Sequence, residues 1–183
     1  RSGNPDAAHD AYALSLKINP AHAPAVYRLG ALKAERGAIE QGADMMRKAL
    51  KLDPALASEI SERCARAAAK LTKQKQYEDA IYLNHTALEL FPENLRPHVQ
   101  LGDIYESEGN FNAALEQYLI VLKRAPESPE TARRLDALTQ RMGWDNHRRV
   151  QLWQDLVERY PDAREPSLYL HKCRSEKKDR AVE

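Results

Sequence analysis

This sequence of 183 residues is poor in the residue types that build disulfide scaffolds and metal centres. It contains two cysteines, Cys64 and Cys173, and six scattered histidines, which form no recognisable metal-ligand motif. The scarcity excludes a disulfide framework, and we expect neither a metal nor a cofactor. Two lone thiols are typical of a reducing compartment, so we expect a cytoplasmic protein; a lost signal peptide and a periplasmic location stay open.

The sequence also lacks an excess of either charge and any long apolar run. Its 28 basic and 27 acidic residues leave a net charge of +1, which removes a global electrostatic attraction to nucleic acid or anionic lipid. Aromatic residues do not alternate with a basic stripe, as nucleic-acid binding by stacking would require. Apolar runs are only a few residues long, so we expect no membrane insertion.

What the sequence does contain is a five-residue motif that ends in proline and occurs in five similar copies. The spacings between its copies are 34, 38, 34 and 35 residues. Proline lacks an amide hydrogen and restricts the residue before it, so each copy of the motif predicts the end of a helix. The copies are LKINP, LKLDP, LELFP, LKRAP and VERYP, which close at Pro20, Pro54, Pro92, Pro126 and Pro161.

Small and large residues recur at fixed distances before each proline. Because they stand four residues apart, they share one helical stripe, which predicts a helix packed closely on a neighbour. The large positions are Tyr12, Met46, Asn84, Tyr118 and Trp153, and the small positions are Ala8, Gly42, Ala80, Ala114 and Arg149.

A second amphipathic segment precedes each of the four later copies of the motif. Three of these segments end at Gly37, Gly109 and Gly143, which suit a left-handed helix C-cap, and the other has Lys75 at the equivalent place. Each unit is therefore predicted to be a helix, a tight turn and a second helix.

This pattern resembles the tetratricopeptide repeat family. The resemblance is carried by Leu29-Gly30, Leu101-Gly102, Tyr105, the small Ala80 and Ala114, the aromatic or large residue four positions later in the repeat, and the closing prolines. It implies an all-α fold, a right-handed superhelical solenoid of antiparallel helix pairs with about four full units, a half unit and a capping helix.

The repeat boundaries follow from the same pattern. We expect a single domain over residues 1–183. Its parts are the second helix of a truncated repeat at 5–22, repeats at 23–56, 57–94, 95–128 and 129–163, and a capping helix with a frayed tail at 164–183.

Three positions depart from the repeat. The repeat at 57–94 has four extra residues, close to one helical turn, so we expect its first helix to be one turn longer. Asn84 stands at a large position, where a buried amide without partners costs about 1–3 kcal/mol. Arg149 stands at a small position, so we expect the helices of the last repeat to be shifted there. The longer turn of this repeat would accommodate the shift. Cys64 and Cys173 are interpreted as packed thiols.

In the family the first helices line a concave groove, and the resemblance implies where a partner would bind. Long polar side chains at these places would offer a ladder of donors to carboxylates and backbone carbonyls. We therefore expect a non-catalytic scaffold that binds a protein or peptide, with an acidic extended segment as its ligand; a merely solvated charged face is the alternative. The candidate partner-binding residues are Tyr27, Arg28, Arg66, Lys73, Arg96, Gln100, Asp103, Arg133 and Arg134.

Two further alternatives stay open. Because the chain starts in mid-repeat, it could be the substrate-recruiting arm of a larger enzyme such as a glycosyltransferase. It could also be a self-assembling structural or envelope-assembly subunit, which makes a homo-oligomer possible. The sequence has no nucleophile elbow and no glycine-rich phosphate loop, so we do not expect an enzyme in this chain itself.

Overall fold

The computed structural model describes residues 5–179, and this part of the chain contains helices and turns but no strand. The predicted all-α fold class is confirmed. The predicted frayed tail falls partly on residues 180–183, which lie outside the described residues. The helices are α1 Pro5–Ile18, α2 Ala23–Glu35, α3 Ile39–Leu52, α4 Ala57–Lys73, α5 Tyr77–Leu90, α6 Arg96–Ser107, α7 Phe111–Arg124, α8 Pro129–Arg141, α9 Asn146–Arg159 and α10 Arg164–Asp179.

The repeated prolines act as helix stops. The helices α1, α3, α5, α7 and α9 each end two residues before one of them, as the sequence predicts. The four extra residues of the repeat at 57–94 also behave as expected, because α4 has 17 residues whereas α2 and α8 have 13. A short 3-10 turn, Pro54–Leu56, precedes α4.

The tight turns that follow α2, α4, α6 and α8 share one backbone geometry. After α4, the amide of Gln76 donates to the carbonyl of Leu71, and the amide of Lys75 donates to that of Thr72. These two bonds define a Schellman motif, whose C′ residue must be left-handed. The predicted caps are confirmed, with φ of +93° at Gly37, +62° at Lys75, +77° at Gly109 and +69° at Gly143.

The helices form two compact units, which we call unit 1 (residues 1–100) and unit 2 (residues 101–183). In unit 1, α1 packs on α2, α2 on α3, and α4 on α5. In unit 2, α7 packs on α8, and α10 packs on both α9 and α8. The single domain over residues 1–183 stays a prediction.

Small residues set the distance between paired helices. A Cβ added to Gly30 of α2 would lie 2.7 Å from the carbonyl oxygen of Gly42 in α3. In unit 2, a Cβ on Gly102 would overlap the ring of Tyr118, which is fully buried. Contacts this close are possible only without a side chain, so the small and large positions of the repeat are packing constraints.

In the last repeat a buried ion pair replaces the small residues. Arg149 and Asp136 stand where the first full repeat has its two contacting glycines. Arg149 Nη2 donates to Asp136 Oδ1 at 2.7 Å, and the two side chains are only 7% and 3% exposed. From α10, Glu176 accepts from Arg149 at 2.7 Å and Lys172 donates to Asp136 at 2.6 Å. This charged cluster accommodates the bulk of Arg149.

Asn84 and the cysteines are all buried. Asn84 is 0% exposed, and neither atom of its amide has a hydrogen-bond partner within the described residues. A buried amide without partners costs about 1–3 kcal/mol of folding free energy, as expected for this position. Cys64 and Cys173 are free and buried, which agrees with packed thiols, and burial raises the pKa of Cys64 to about 12.

The unusual cap residue leads to a first prediction. Replacing Lys75 by glycine should stabilise the protein by roughly 0.5–1 kcal/mol. A side chain at positive φ costs about 1–2 kcal/mol, and the greater conformational entropy of glycine in the unfolded chain cancels part of the gain from removing it. Chemical denaturation measures the change. The matched control is Gly109→Ala, which should destabilise by about 1 kcal/mol although its Cβ would meet nothing within 4 Å. A destabilised Lys75→Gly variant would contradict this interpretation.

The buried ion pair leads to a second prediction. Asp136→Asn should destabilise unit 2 by about 3–5 kcal/mol, because Arg149 would keep its charge in a buried site with one carboxylate fewer. The double replacement of Asp136 by leucine and Arg149 by methionine should recover most of this loss, since it removes both charges at similar volume. Thermal or chemical denaturation of Asp136→Asn, of the double variant and of its two single components, Asp136→Leu and Arg149→Met, checks it. Additive losses in the double variant would show that the two side chains do not act as a pair.

Candidate functional site

A concave pocket of about 330 Å³ lies in unit 1 between α1, α2 and the first half of α4. We call it the unit 1 pocket. Every lining residue carries a polar or charged group, which suits a charged or hydrogen-bonding ligand better than an apolar one. The lining residues are Tyr12, Tyr27, Arg28, Glu59, Glu62, Arg63 and Arg66.

One side of the pocket is a hydrogen-bonded chain of three residues. The hydroxyl of Tyr27 donates to Glu59, and Arg28 Nε donates to the Tyr27 oxygen at 3.0 Å. Tyr27 is only 2% exposed. Burial, followed by the bond to Glu59, raises the pKa of its phenol above the ordinary value, so Tyr27 is a neutral donor that fixes the Glu59 carboxylate.

A second part of the lining contains one carboxylate shared by two arginines. Glu62 accepts from Arg66 Nε at 3.0 Å, within α4, and also from Arg96 at the start of α6. The Arg66 side chain is 64% exposed and that of Arg96 is 51% exposed. Their positive charges therefore remain accessible to a ligand while Glu62 holds them in place.

Arg63 differs from the other arginines of the pocket. Within the described residues it forms no ion pair, and its Nε is buried without a hydrogen-bond partner. The three arginines of the lining face two glutamates, and Arg63 carries the unbalanced charge.

The structure therefore brings together part of the predicted binding set. Tyr27, Arg28 and Arg66 line the unit 1 pocket, and Arg96 borders it through Glu62. The exposed Lys73 lies at the C-terminal end of α4, away from the pocket. The Gln100 side-chain oxygen is buried and has no hydrogen-bond partner among residues 5–179.

The remaining predicted residues, Asp103, Arg133 and Arg134, lie in unit 2, where each forms an ion pair with a neighbouring side chain. Asp103 accepts from the hydroxyl of Tyr118 at 2.8 Å and pairs with Arg134, which also pairs with Glu130 at 2.8 Å. Burial raises the pKa of Asp103, although Tyr118 and Arg134 act against that shift. Arg133 is more accessible than Arg134, because its side chain is 69% exposed and that of Arg134 is 28% exposed.

Sequence reasoning missed Tyr12, Glu59 and Arg63. Tyr12 was interpreted as a packing residue because it stands at a large position of the repeat. Glu59 lies in the extra turn of α4, which has no counterpart in the other first helices. Arg63 fell outside the positions that the family pattern assigns to the groove. The insertion itself was the available signal, because an extra helical turn must place new side chains beside the neighbouring first helix.

Other features of the described residues give little chemistry. A second cavity of about 330 Å³ in unit 2 is lined by Gln140, Trp144, Asn146, Arg149 and Glu176. Over the part of the chain that the structure describes, no three His, Cys, Asp or Glu side chains converge in a way that could hold a metal ion. None of the described helices combines the length and the apolar character needed to cross a membrane.

Comparisons with known proteins agree with this architecture. Residues 71–138 match the family model described as tetratricopeptide repeat, which confirms the resemblance drawn from the sequence. No curated protein sequence matches the chain.

Several solved structures share the fold. The crystal structure of MamA matches 99% of this chain and 93% of its own, with a TM-score of 0.55 at 19% identity. A MamA fragment from Desulfovibrio magneticus RS-1 matches 86% of each chain, with a TM-score of 0.52 at 21% identity. YrrB, solved as a tetratricopeptide-repeat protein with an unusual peptide-binding site, matches 94% of this chain and 86% of its own, with a TM-score of 0.53 at 16% identity.

The Asp103 cluster leads to a third prediction. Tyr118→Phe should raise the pKa of Asp103 further, because it removes a hydrogen bond that favours the charged carboxylate. A pKa that is higher in the folded than in the unfolded chain stabilises the fold below the unfolded pKa, and this contribution is lost as the pH rises through the folded value. In Tyr118→Phe the pH range over which this stabilisation is lost should therefore move to higher pH.

A carboxyl NMR titration of Asp103 measures this shift. Tyr82→Phe is the matched control, because the hydroxyl of Tyr82 lies beside Arg47 in unit 1. An unchanged or lowered pKa of Asp103 in Tyr118→Phe would show that the phenol does not stabilise the carboxylate.

Proposed function

We propose that this tetratricopeptide repeat protein is a non-catalytic interaction scaffold that binds an extended, acidic segment of a partner protein at the unit 1 pocket. The fold supports the general role, since proteins of this family bind protein or peptide partners. The acidic character of the ligand is inferred from the charge of the pocket.

The observation that carries the proposal is the surplus of arginine in a concave, polar wall. Three arginines and two glutamates line the unit 1 pocket, and Arg96 adds a further guanidinium at its border. Guanidinium groups bind carboxylates through two parallel hydrogen bonds, and the half-buried Tyr12 adds a hydroxyl for a peptide backbone. An acidic peptide satisfies both kinds of group.

The existing ion pairs do not prevent such binding. Arg66 pairs with Glu62 one helical turn away on an exposed surface, and pairs of this kind contribute only about 0.3–0.5 kcal/mol. A ligand carboxylate can therefore join or replace Glu62 at small cost. Arg134 is held by two carboxylates and is only 28% exposed, so its part is to support the fold of unit 2.

Self-association is the second candidate, and one observation favours it. Leu14 and Ile18 lie one turn apart on α1, and they are 58% and 80% exposed. Apolar side chains grouped on one helix face are more typical of an interface than of free surface. A second copy of the chain is therefore an alternative partner to the acidic peptide.

The fourth prediction separates the two candidates. A blocked peptide of alternating Glu and Ala should bind the protein in isothermal titration at low salt, and the same peptide with Gln in place of Glu should not. Arg66→Ala should weaken binding roughly three- to tenfold through loss of a charged hydrogen bond, and Arg134→Ala should have a smaller effect.

Lys48→Ala is the control, because it removes one exposed positive charge from α3, outside the pocket. Equal binding of the Glu and Gln peptides, or an Arg66→Ala variant that binds like the unmodified protein, would remove the pocket from the proposal. Heat that appears on dilution of the protein alone would favour self-association instead.

A further inference from the structure

The unit 1 pocket owes one of its walls to the inserted turn of α4. The first helices α2 and α8 start 14 residues before the left-handed residue that ends them, at Ala23 for Gly37 and Pro129 for Gly143, whereas α4 starts 18 residues before Lys75. The four extra residues are therefore added at the N-terminal end of α4. They form the turn 57–60, which contains Glu59.

This turn engages the neighbouring helix through Glu59. The Glu59 carboxylate accepts from the hydroxyl of Tyr27 and lies 3.9 Å from Arg28 Nη2. Both partners belong to α2, so the inserted turn ties α4 to α2 at the mouth of the pocket. A repeat of ordinary length would have no residue at this place.

The same contacts leave Arg63 without its natural partner. Arg63 follows Glu59 by four residues on α4, a spacing at which glutamate and arginine commonly form an ion pair. Glu59 points instead to Tyr27 and Arg28, and the next carboxylate, Glu62, is shared by Arg66 and Arg96. Arg63 consequently faces the pocket with an unpaired charge, and its buried Nε lacks any partner in the described part of the chain.

We infer that the inserted turn makes the unit 1 pocket a binding site for one carboxylate of the bound peptide, and that Arg63 is the residue that binds this carboxylate. The inference rests on the proposed function and narrows it to a specificity-determining residue. A carboxylate would supply the counter-charge that the guanidinium of Arg63 lacks, in the paired geometry that a guanidinium prefers. The carboxylate could belong to an acidic side chain or to a peptide C-terminus.

Two variants of Arg63 and two peptides test the inference. Arg63→Gln should weaken binding of a blocked Glu-Ala peptide at least tenfold, more than Arg66→Ala does, because a partly desolvated charge-assisted contact is lost. Arg63→Lys should lie between, since it keeps the charge and loses the paired geometry. Lys48→Gln removes an equal charge from α3 and should bind like the unmodified protein. Circular dichroism confirms that each variant is folded.

The second peptide distinguishes the sources of the carboxylate. An alanine peptide with a free C-terminus, compared with its amidated form, reports recognition of a terminus, and the blocked Glu-Ala peptide reports recognition of a side chain. Arg63-dependent binding of either one supports the inference. If Arg66→Ala weakens binding and both Arg63 variants bind normally, the inference fails and the proposed function stands. If neither peptide binds the unmodified protein, both fail.

Discussion

The close approach of paired helices is the constraint on which the rest of the structure depends. Gly30 and Gly42 bring α2 and α3 so near that a methyl group on either would overlap the other helix. Helices held at this distance bury a continuous stripe of small and large side chains, and their long polar residues are displaced to the remaining faces. The unit 1 pocket lies on such a remaining face, so its shape is a consequence of the packing behind it.

Two repeats depart from the pattern of small and large residues, and the polar side chains introduced there are paired in one repeat but not in the other. In the last repeat the contacting small residues give way to Arg149 and Asp136, and the added charges are paired with each other and with α10. Asn84 replaces a large residue and finds no partner in the residues that the structure describes. A paired change preserves the fold at little cost, whereas a single polar change leaves a buried amide unsatisfied.

Much of the fold could be predicted from the sequence because its signals are local. Proline placement, the left-handed positions such as Gly37 and Lys75, and the spacing of small and large residues each depend on one or two turns of helix. The site was harder to predict. Whether an arginine is free or paired depends on which acid lies across from it on another helix, and Glu59 selects Tyr27 over Arg63 only in the folded chain. The ion pair between Asp136 and Arg149 was not predicted for the same reason.

Our central proposal is that unit 1 presents a carboxylate-binding face made by α2 and the lengthened α4. Mapping of backbone amide NMR shifts on addition of an acidic peptide tests this claim most directly. The account predicts that the shifts cluster at the start of α2 and in the first half of α4, around Tyr27 and Arg63. Shifts confined to α3 and α5, or spread evenly over the chain, would contradict it.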